Sequence, residues 1–144
     1  MNIELLNSLL GGPELLDWFD GYAPRFHDAE VLSIAFDREG PTCTLRVHAF
    51  ETTSAVNANG FNVHKRHVVV TFRIDEITEM RLEDFNHQNA LMGLRIVRSS
   101  DEGLRVDLDP AYGLSGSFDG RSISITLEPG APTGSQYETR TEGG

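Results

Sequence analysis

Hydrophobic and polar residues alternate along most of the chain, and this pattern predicts β-strands. Leu32, Ile34 and Phe36 occupy every second position, and side chains two residues apart lie on the same face of a strand. Similar segments follow at short intervals. The predicted strands are Val31–Asp37, Cys43–Glu51, Val63–Ile74, Ile77–Leu82, Leu94–Val97, Leu104–Leu108, Ser115–Phe118 and Ser122–Leu127.

The segments between these strands indicate that neighbouring strands run antiparallel. Asn59-Gly60 and Asp119-Gly120 are dipeptides that favour tight hairpin turns, and the connections are short. The long helices that would join parallel strands are missing after residue 20, which argues against a parallel α/β fold. Most predicted strands have a single apolar face, which is typical of a sheet covered on one side.

The first twenty residues follow a helical period instead. Ile3, Leu5, Leu6, Leu9 and Leu10 are spaced for one apolar helix face. Gly11-Gly12 would end that helix, and Pro13 can open a second short one. We therefore predict an α+β fold: a curved, mainly antiparallel sheet of about eight strands with short N-terminal helices packed on it. A β-sandwich is the second choice.

Length and composition predict one folded domain with a tail. The chain has 144 residues, which fits a single domain. We expect residues 1–128 to form it. Residues 129–144 are small, polar and rich in Gly, Pro and Thr, so they cannot bury enough apolar surface to offset their ordering entropy. We expect a flexible C-terminal tail.

Charge and cysteine content narrow the choice of partners and compartment. The formal net charge is −10, from 22 acidic and 12 basic residues, which disfavours nucleic acid and anionic membranes and favours basic partners; plain solubility is the alternative explanation. The single cysteine, Cys43, excludes an intramolecular disulfide. The first residues lack a basic signal region and a membrane-length apolar run, so we expect a cytoplasmic protein.

His27, Asp28 and Glu30 form the first dense polar cluster. Such residues could bind a metal, act as an acid/base pair or contact a partner. Asp28 and Glu30 would share a strand face, but no HxH or HExxH spacing accompanies them. The alternative is structural: a side chain that caps backbone amides where the loop meets the strand.

Asn86, His87, Gln88 and Asn89 form the second cluster. Their side chains supply both donors and acceptors, so the segment could recognise a base edge, a sugar or a peptide backbone. The alternative is a loop that satisfies its own backbone, with Asn86 capping a short turn of helix. Asp107 and Asp109 share a face of a later predicted strand, where they either meet a basic partner or simply face water.

The other residues with reactive side chains form no recognisable catalytic, metal-binding or cofactor-binding pattern, so we predict no catalytic residue, metal ligand or cofactor. Cys43 has no paired histidine nearby, and the GxSxG, P-loop and zinc patterns are missing. We expect Cys43 to be a buried structural thiol. His48 lies among the polar positions of its strand and is predicted to be exposed. His64, Lys65 and Arg66 are predicted to form a solvated hairpin tip.

Four segments carry a family resemblance. WFDGYAPRFHDAEVLSI (18–34), LRVHAF (45–50), VVVTFRIDEITEMRLEDFNHQN (68–89) and LDPAYGLSGSF (108–118) together resemble the immunity protein 50 family of bacterial polymorphic toxin systems. The resemblance implies a cytoplasmic antidote that binds and blocks a cognate toxin domain. It does not name the toxin, and it does not say whether the matching residues contact the toxin or hold the fold. The matching positions are Trp18, His27, Asp28, Glu30, Asn86, His87, Gln88 and Asn89.

Two hypotheses follow. The first is a non-enzymatic acidic binding protein whose partner is a cognate toxin domain, expected to be basic. It expects acidic residues to gather on one surface. The second is a small-ligand or metal-binding protein, or an enzyme, which uses the clusters around His27 and His87. It expects those clusters to converge in one concave pocket. The residues predicted to bind a partner are His27, Asp28, Glu30, Asn86, His87, Gln88, Asn89, Asp107 and Asp109.

Overall fold

The computed structural model of the chain describes residues 1–56, 60 and 62–132, without the side chains of residues 52–56 and 62–64. Within this part, two short helices precede eight strands, as predicted. The helices are α1 (Ile3–Ser8) and α2 (Gly12–Trp18). The strands are β1 (Glu30–Asp37), β2 (Thr42–Val56), β3 (Asn62–Asp75), β4 (Glu79–Glu83), β5 (Ala90–Arg98), β6 (Leu104–Tyr112), β7 (Ser115–Gly120) and β8 (Ser122–Pro129).

The helices are held to the sheet by the residues between them. α1 ends at Ser8, before the predicted stop at Gly11-Gly12, because the Leu10 carbonyl accepts a hydrogen bond from the Ile125 amide of β8 (2.8 Å). Gly11 must be glycine here: its φ is +85°, and a Cβ atom would lie 1.8 Å from the Ile125 carbonyl oxygen. Leu6 and Leu15 are then completely buried against the sheet.

The eight strands form one sheet in the order β4-β7-β6-β5-β1-β2-β3-β8, and each strand is antiparallel to its neighbours. The α+β prediction is therefore confirmed. β1 and β5 share a single register pair, Glu30 with Ala90. This narrow junction divides the sheet into two four-stranded halves, β4-β7-β6-β5 and β1-β2-β3-β8.

Two short connections bring the ends of the sheet together. Arg121 alone links β7 to β8, and residues 76–78 link β3 to β4, although five other strands separate the members of each pair in the sheet order. The amide of Arg121 donates to the carbonyl of Asp75 (2.9 Å). The rings of Phe36 in β1 and Phe118 in β7 lie 6.2 Å apart. The two halves therefore enclose one core.

The predicted hairpin at Asp119-Gly120 is wrong. β7 pairs with β4 and β6, whereas β8 pairs with β3. Asp119 and Gly120 belong to β7, and Gly120 packs against Ile74 and the carbonyl of Asp75 in β3. The dipeptide thus ends a strand that continues into the other half of the sheet, and packing between the halves overrides the local preference for a hairpin.

The core follows the two-residue period of the strands. Cys43, Leu45 and Val47 of β2 face inward and are completely buried. Val70 and Phe72 of β3 continue this layer on the next strand, and both are also completely buried. Residues from both halves and both helices belong to the same apolar cluster. This shared core makes the described part of the chain one packed unit.

The two chain segments expected to be loop or tail are described only in part. Most of the predicted Asn59-Gly60 turn lies outside the described residues, where β2 meets β3. β8 extends to Pro129, and the Gly130 amide donates to the carbonyl of His67 (2.7 Å). Residues 133–144 of the predicted tail lie outside the described residues. Neither helix in the described part is long and apolar enough to cross a membrane.

Replacing Gly120 with alanine should destabilise the protein. The added Cβ would lie 2.6 Å from Ile74 Cγ2 and 2.7 Å from the Asp75 carbonyl oxygen, so the contact between the two halves must open. We expect the free energy of unfolding, measured by urea denaturation, to fall by about 1–3 kcal/mol. Gly93→Ala is the control, since its Cβ meets only the Arg25 carbonyl oxygen at 3.4 Å. Equal stability of both variants would contradict this account.

The Cys43 thiol should be inert in the folded protein. Burial raises its pKa to about 11 from an ordinary value of 9.0. We expect no reaction with Ellman's reagent at pH 8 until urea unfolds the chain. Because the folded pKa is the higher one, this group's contribution to stability is complete below pH 9 and is lost as the pH rises from 9 toward 11. Rapid stoichiometric modification without urea would show that the thiol is accessible.

Candidate functional site

The two predicted polar clusters meet at the junction between β1 and β5. The Asp28 amide donates to the Leu91 carbonyl (2.8 Å), and the Leu91 amide donates to the Ala29 carbonyl (2.9 Å). The Val31 amide donates to the Asn89 carbonyl (3.0 Å). The first cluster and the end of the second therefore lie side by side, which sequence alone could not show.

His27 and Asp28 form an exposed pair at this junction. His27 Nδ1 lies 3.2 Å from Asp28 Oδ2, and the two side chains are 57% and 54% exposed. Asp28 has a positive φ of 64°, a conformation that aspartate tolerates better than most residues. Both side chains are thus available to a partner.

Glu30 points to a different set of residues. Its Oε1 lies 3.2 Å from Nδ1 of His48, and His48 Nε2 lies 3.0 Å from Nδ1 of His67. The His48 ring also packs 5.3 Å from the Phe50 ring. The prediction that His48 is exposed is wrong: its side chain is completely buried, because Glu30, His67 and Phe50 cover it on the outer face of the sheet.

The two hydrogen bonds of His48 define which ring nitrogens of His48 and His67 donate and which accept. An ionised Glu30 carboxylate can only accept, so His48 Nδ1 donates to it. In a neutral His48 the Nε2 atom is then the acceptor, and His67 Nδ1–H donates to it. Hydrogen bonds on both ring nitrogens explain how a histidine can be fully buried. Glu30 therefore has a structural role that the sequence did not reveal.

The loop of the second cluster largely satisfies its own backbone. Asn86 Oδ1 accepts from the amides of Gln88 (2.8 Å) and Asn89 (3.1 Å). Asn89 Oδ1 accepts from the Asn86 amide (2.8 Å), and Asn89 is buried. Asn86 therefore satisfies backbone amides of its own loop, as the structural alternative expects, but the expected turn of helix does not form there. His87 and Gln88 are exposed, so the two asparagines shape a loop that presents these two side chains.

Asp107 and Asp109 lie on the outer face of β6, as the alternation predicts. Asp107 pairs in register with Arg95 of β5, and its Oδ2 lies 3.7 Å from Arg95 NH2. Asp109 is exposed and lies opposite Gly93. One of these carboxylates is therefore partly neutralised, whereas Asp109 is free to meet a partner near the junction.

The acidic residues are spread over several surfaces of the described fold. Exposed carboxylates occur on α1, α2, β4, β8 and several turns. Arginines neutralise some of them, as when Arg105 binds both carboxylate oxygens of Asp119 at 2.6 and 2.9 Å. This hydrogen bond and the charge of Asp119 raise the pKa of Arg105 above its ordinary value. The expected gathering of acidic residues on one surface is not found among the described residues.

Arg66 is not part of a solvated hairpin tip. Its NH2 lies 2.6 Å from Asp20 Oδ2, and its Nε lies 2.8 Å from Glu51 Oε2 in an ion pair that lacks hydrogen-bond geometry. Arg66 NH1 donates to the Trp18 carbonyl (3.0 Å), while Trp18 Nε1 donates to the Arg66 carbonyl (2.8 Å). These bonds tie α2 to β3. Lys65 is exposed, and the side chain of His64 lies outside the described residues.

A cavity of about 320 Å³ opens beside the junction. We call it the aromatic cavity, because the rings of Phe19, Tyr22, Phe26 and Phe50 line it. Its polar lining includes Arg25, His27 and Glu51. Sequence reasoning missed this site, since its walls come from segments that are distant in the chain.

The predicted clusters do not converge in one pocket. Of the predicted site residues, His27 lines the aromatic cavity, whereas the Asn86–Asn89 loop does not. Glu30 is bonded to His48, and Asn86 and Asn89 are bonded to their own loop. Within the described ranges, no group of three His, Cys, Asp or Glu side chains is arranged to hold a metal ion. The geometry gives the second hypothesis no support.

Comparison with protein families identifies one match. The family model described as Immunity protein 50 matches residues 13–128, a range that begins in α2 and reaches β8. Comparisons with curated proteins and with solved structures found no match. The matched range contains all the predicted site residues and the aromatic cavity.

Replacing His48 with leucine should destabilise the fold. Leucine fills the buried space but leaves Glu30 and His67 without their bonds to His48. We expect a loss of roughly 1–3 kcal/mol in the free energy of unfolding. His27→Leu changes an exposed histidine on the same side of the junction and should change stability by less than about 0.5 kcal/mol. A similar effect of both changes would show that the buried bonds add little.

Proposed function

The chain belongs to the immunity protein 50 family, and we propose that it neutralises a cognate bacterial toxin by binding it directly, without catalysis. The observation that carries the proposal is the family match across residues 13–128, which covers almost all of the sheet. We place this activity in the cytoplasm, where Cys43 would stay reduced.

We propose that the toxin binds a surface at the β1–β5 junction, which we call the junction face. The exposure of the predicted polar residues supports this choice. Two apolar residues are exposed beside them: Met92 (54%) lies in the irregular part of β5, and Tyr112 (65%) pairs in register with Ala90. Apolar side chains ringed by polar ones are typical of binding surfaces. The junction face comprises His27, Asp28, His87, Gln88, Met92, Asp109 and Tyr112.

The remaining predicted residues support the face rather than contact the toxin in this proposal. Asn86 and Asn89 hold the loop that presents His87 and Gln88. Glu30 anchors β1 to β2 through His48, and Asp107 pairs with Arg95. A face held in place before binding loses less conformational entropy when the toxin docks, which favours high affinity.

The overall charge supports a basic toxin. A net charge of −10 attracts a positively charged partner over distances of about 8–10 Å at physiological salt. Because the carboxylates are spread over the fold, this attraction should speed the encounter more than it directs the docking. The association rate should therefore fall as salt rises, while the dissociation rate changes less.

The proposal can be tested with the native toxin. The tagged protein would be used to capture its partner from the native host, and the captured protein would then be expressed from an inducible promoter in another bacterium. Co-expression of the immunity protein should restore growth, and the two purified proteins should form a stable complex by calorimetry. A captured toxin that still kills in the presence of this protein, and does not bind it when purified, would overturn the proposal.

Charge reversal should locate the toxin-binding surface. Asp109→Lys, on the junction face, should weaken toxin binding by about tenfold or more, which corresponds to about 1.4 kcal/mol. Asp101→Lys makes the same charge change at an exposed position in the turn between β5 and β6, and should weaken binding much less. Calorimetry would measure both affinities, and melting curves would confirm folding. Equal losses would indicate only a long-range effect of net charge.

A second change tests the loop without altering its backbone bonds. The double variant His87→Ala and Gln88→Ala removes two exposed side chains but leaves Asn86 and Asn89 in place. We expect at least a tenfold loss of toxin affinity with unchanged thermal stability. If this variant bound the toxin with wild-type affinity, the loop would not be part of the toxin-binding surface.

A further inference from the structure

Three of the four aromatic residues that line the aromatic cavity are buried in the fold. Phe26 is buried and meets Phe72 of the core edge-on, with ring centres 5.8 Å apart. Phe50 packs 5.3 Å from His48, and Phe19 is also buried. Tyr22 differs, because it is 75% exposed. The cavity lining therefore combines three buried aromatic residues with one exposed aromatic residue.

One positively charged side chain of the cavity lining, that of Arg25, has no ion-pair partner among the described residues. Glu51 pairs with Arg66 at 2.8 Å, and His27 pairs with Asp28 at 3.2 Å. Arg25 is exposed, and no ion pair involves it among the residues that the structure describes. A ligand in this cavity thus meets apolar rings and a free guanidinium, the group best suited to bind a carboxylate through two parallel hydrogen bonds.

We propose that the aromatic cavity binds a small carboxylate with an aromatic or branched aliphatic body. The body lies against Phe50 and Tyr22, and the carboxylate pairs with Arg25. The volume of about 320 Å³ is at the small end of the range for ligand sites. A cationic ligand would be repelled by Arg25. This site is independent of toxin neutralisation, so the failure of either proposal leaves the other standing.

Matched compounds can test the two parts of the site separately. The probes are 3-phenylpropionate, 3-phenylpropan-1-ol, which lacks the charge, and propionate, which lacks the ring. For a ligand of this size we expect a dissociation constant on the order of 1 mM, which NMR titration of the labelled full chain can measure. The phenylpropionate should bind at least fivefold more tightly than either of the others, with shifts centred on residues 19–27 and 49–51.

Trp18 provides a second readout. It is the only tryptophan, and its Nε1 donates to the carbonyl of Arg66, whose side chain contacts Glu51 in the cavity lining. Saturable change in its fluorescence with phenylpropionate should give the same dissociation constant as NMR. Unsaturable binding, or shifts spread over the whole chain, would overturn the proposal.

Two pairs of variants assign the roles of the lining. Arg25→Gln should reduce the affinity for phenylpropionate to that of the alcohol and leave the alcohol unaffected, while Arg38→Gln, an exposed arginine between β1 and β2, should change neither. Tyr22→Ala should weaken the binding of both aromatic compounds. Tyr112→Ala removes a similarly exposed tyrosine elsewhere and should weaken the binding of neither. Unchanged binding to Arg25→Gln and Tyr22→Ala would overturn the assignment.

Discussion

The structure depends on two short connections between opposite ends of one sheet. Arg121 must carry the chain from β7 to β8, and residues 76–78 must carry it from β3 to β4. Neither link can cross a flat sheet past five intervening strands, because strands in a sheet lie about 4.8 Å apart. The sheet therefore has to bring its halves together, and the apolar faces of both halves, with the helices, enclose one core.

The β1–β5 junction completes this arrangement. Its single register pair lets the halves turn toward each other while the sheet stays continuous. The same junction places residues 28–31 beside residues 89–91 and directs Glu30 to the buried His48. This junction is thus held by hydrogen bonds from backbone and side chains, and it carries the exposed polar residues of the junction face.

The junction face and the aromatic cavity share His27 but differ in chemistry. The face is open, polar and partly apolar at Met92 and Tyr112, which suits a protein partner. The cavity is small and aromatic, with Arg25 as its free charge, which suits a small carboxylate. The family match concerns the whole fold and assigns neither surface, so each rests on its own contacts.

The sequence by itself determined most of the strands and the faces that β2 and β3 bury, because a two-residue period is a local property that the core requires. β1 departs from this period: its register shifts between Val31 and Ser33, so Val31 rather than Leu32 is buried. The sequence also indicated a loop that satisfies its own backbone at the second cluster, where the Asn86 side chain accepts from amides two and three residues away. Only the tertiary structure decided which strands pair. Asp119-Gly120 therefore ends a strand that leaves its expected partner, and His48, polar in the pattern, is buried between Glu30 on β1 and His67 on β3. The aromatic cavity was equally invisible, since contacts between distant segments depend on packing of the whole chain and not on neighbouring residues.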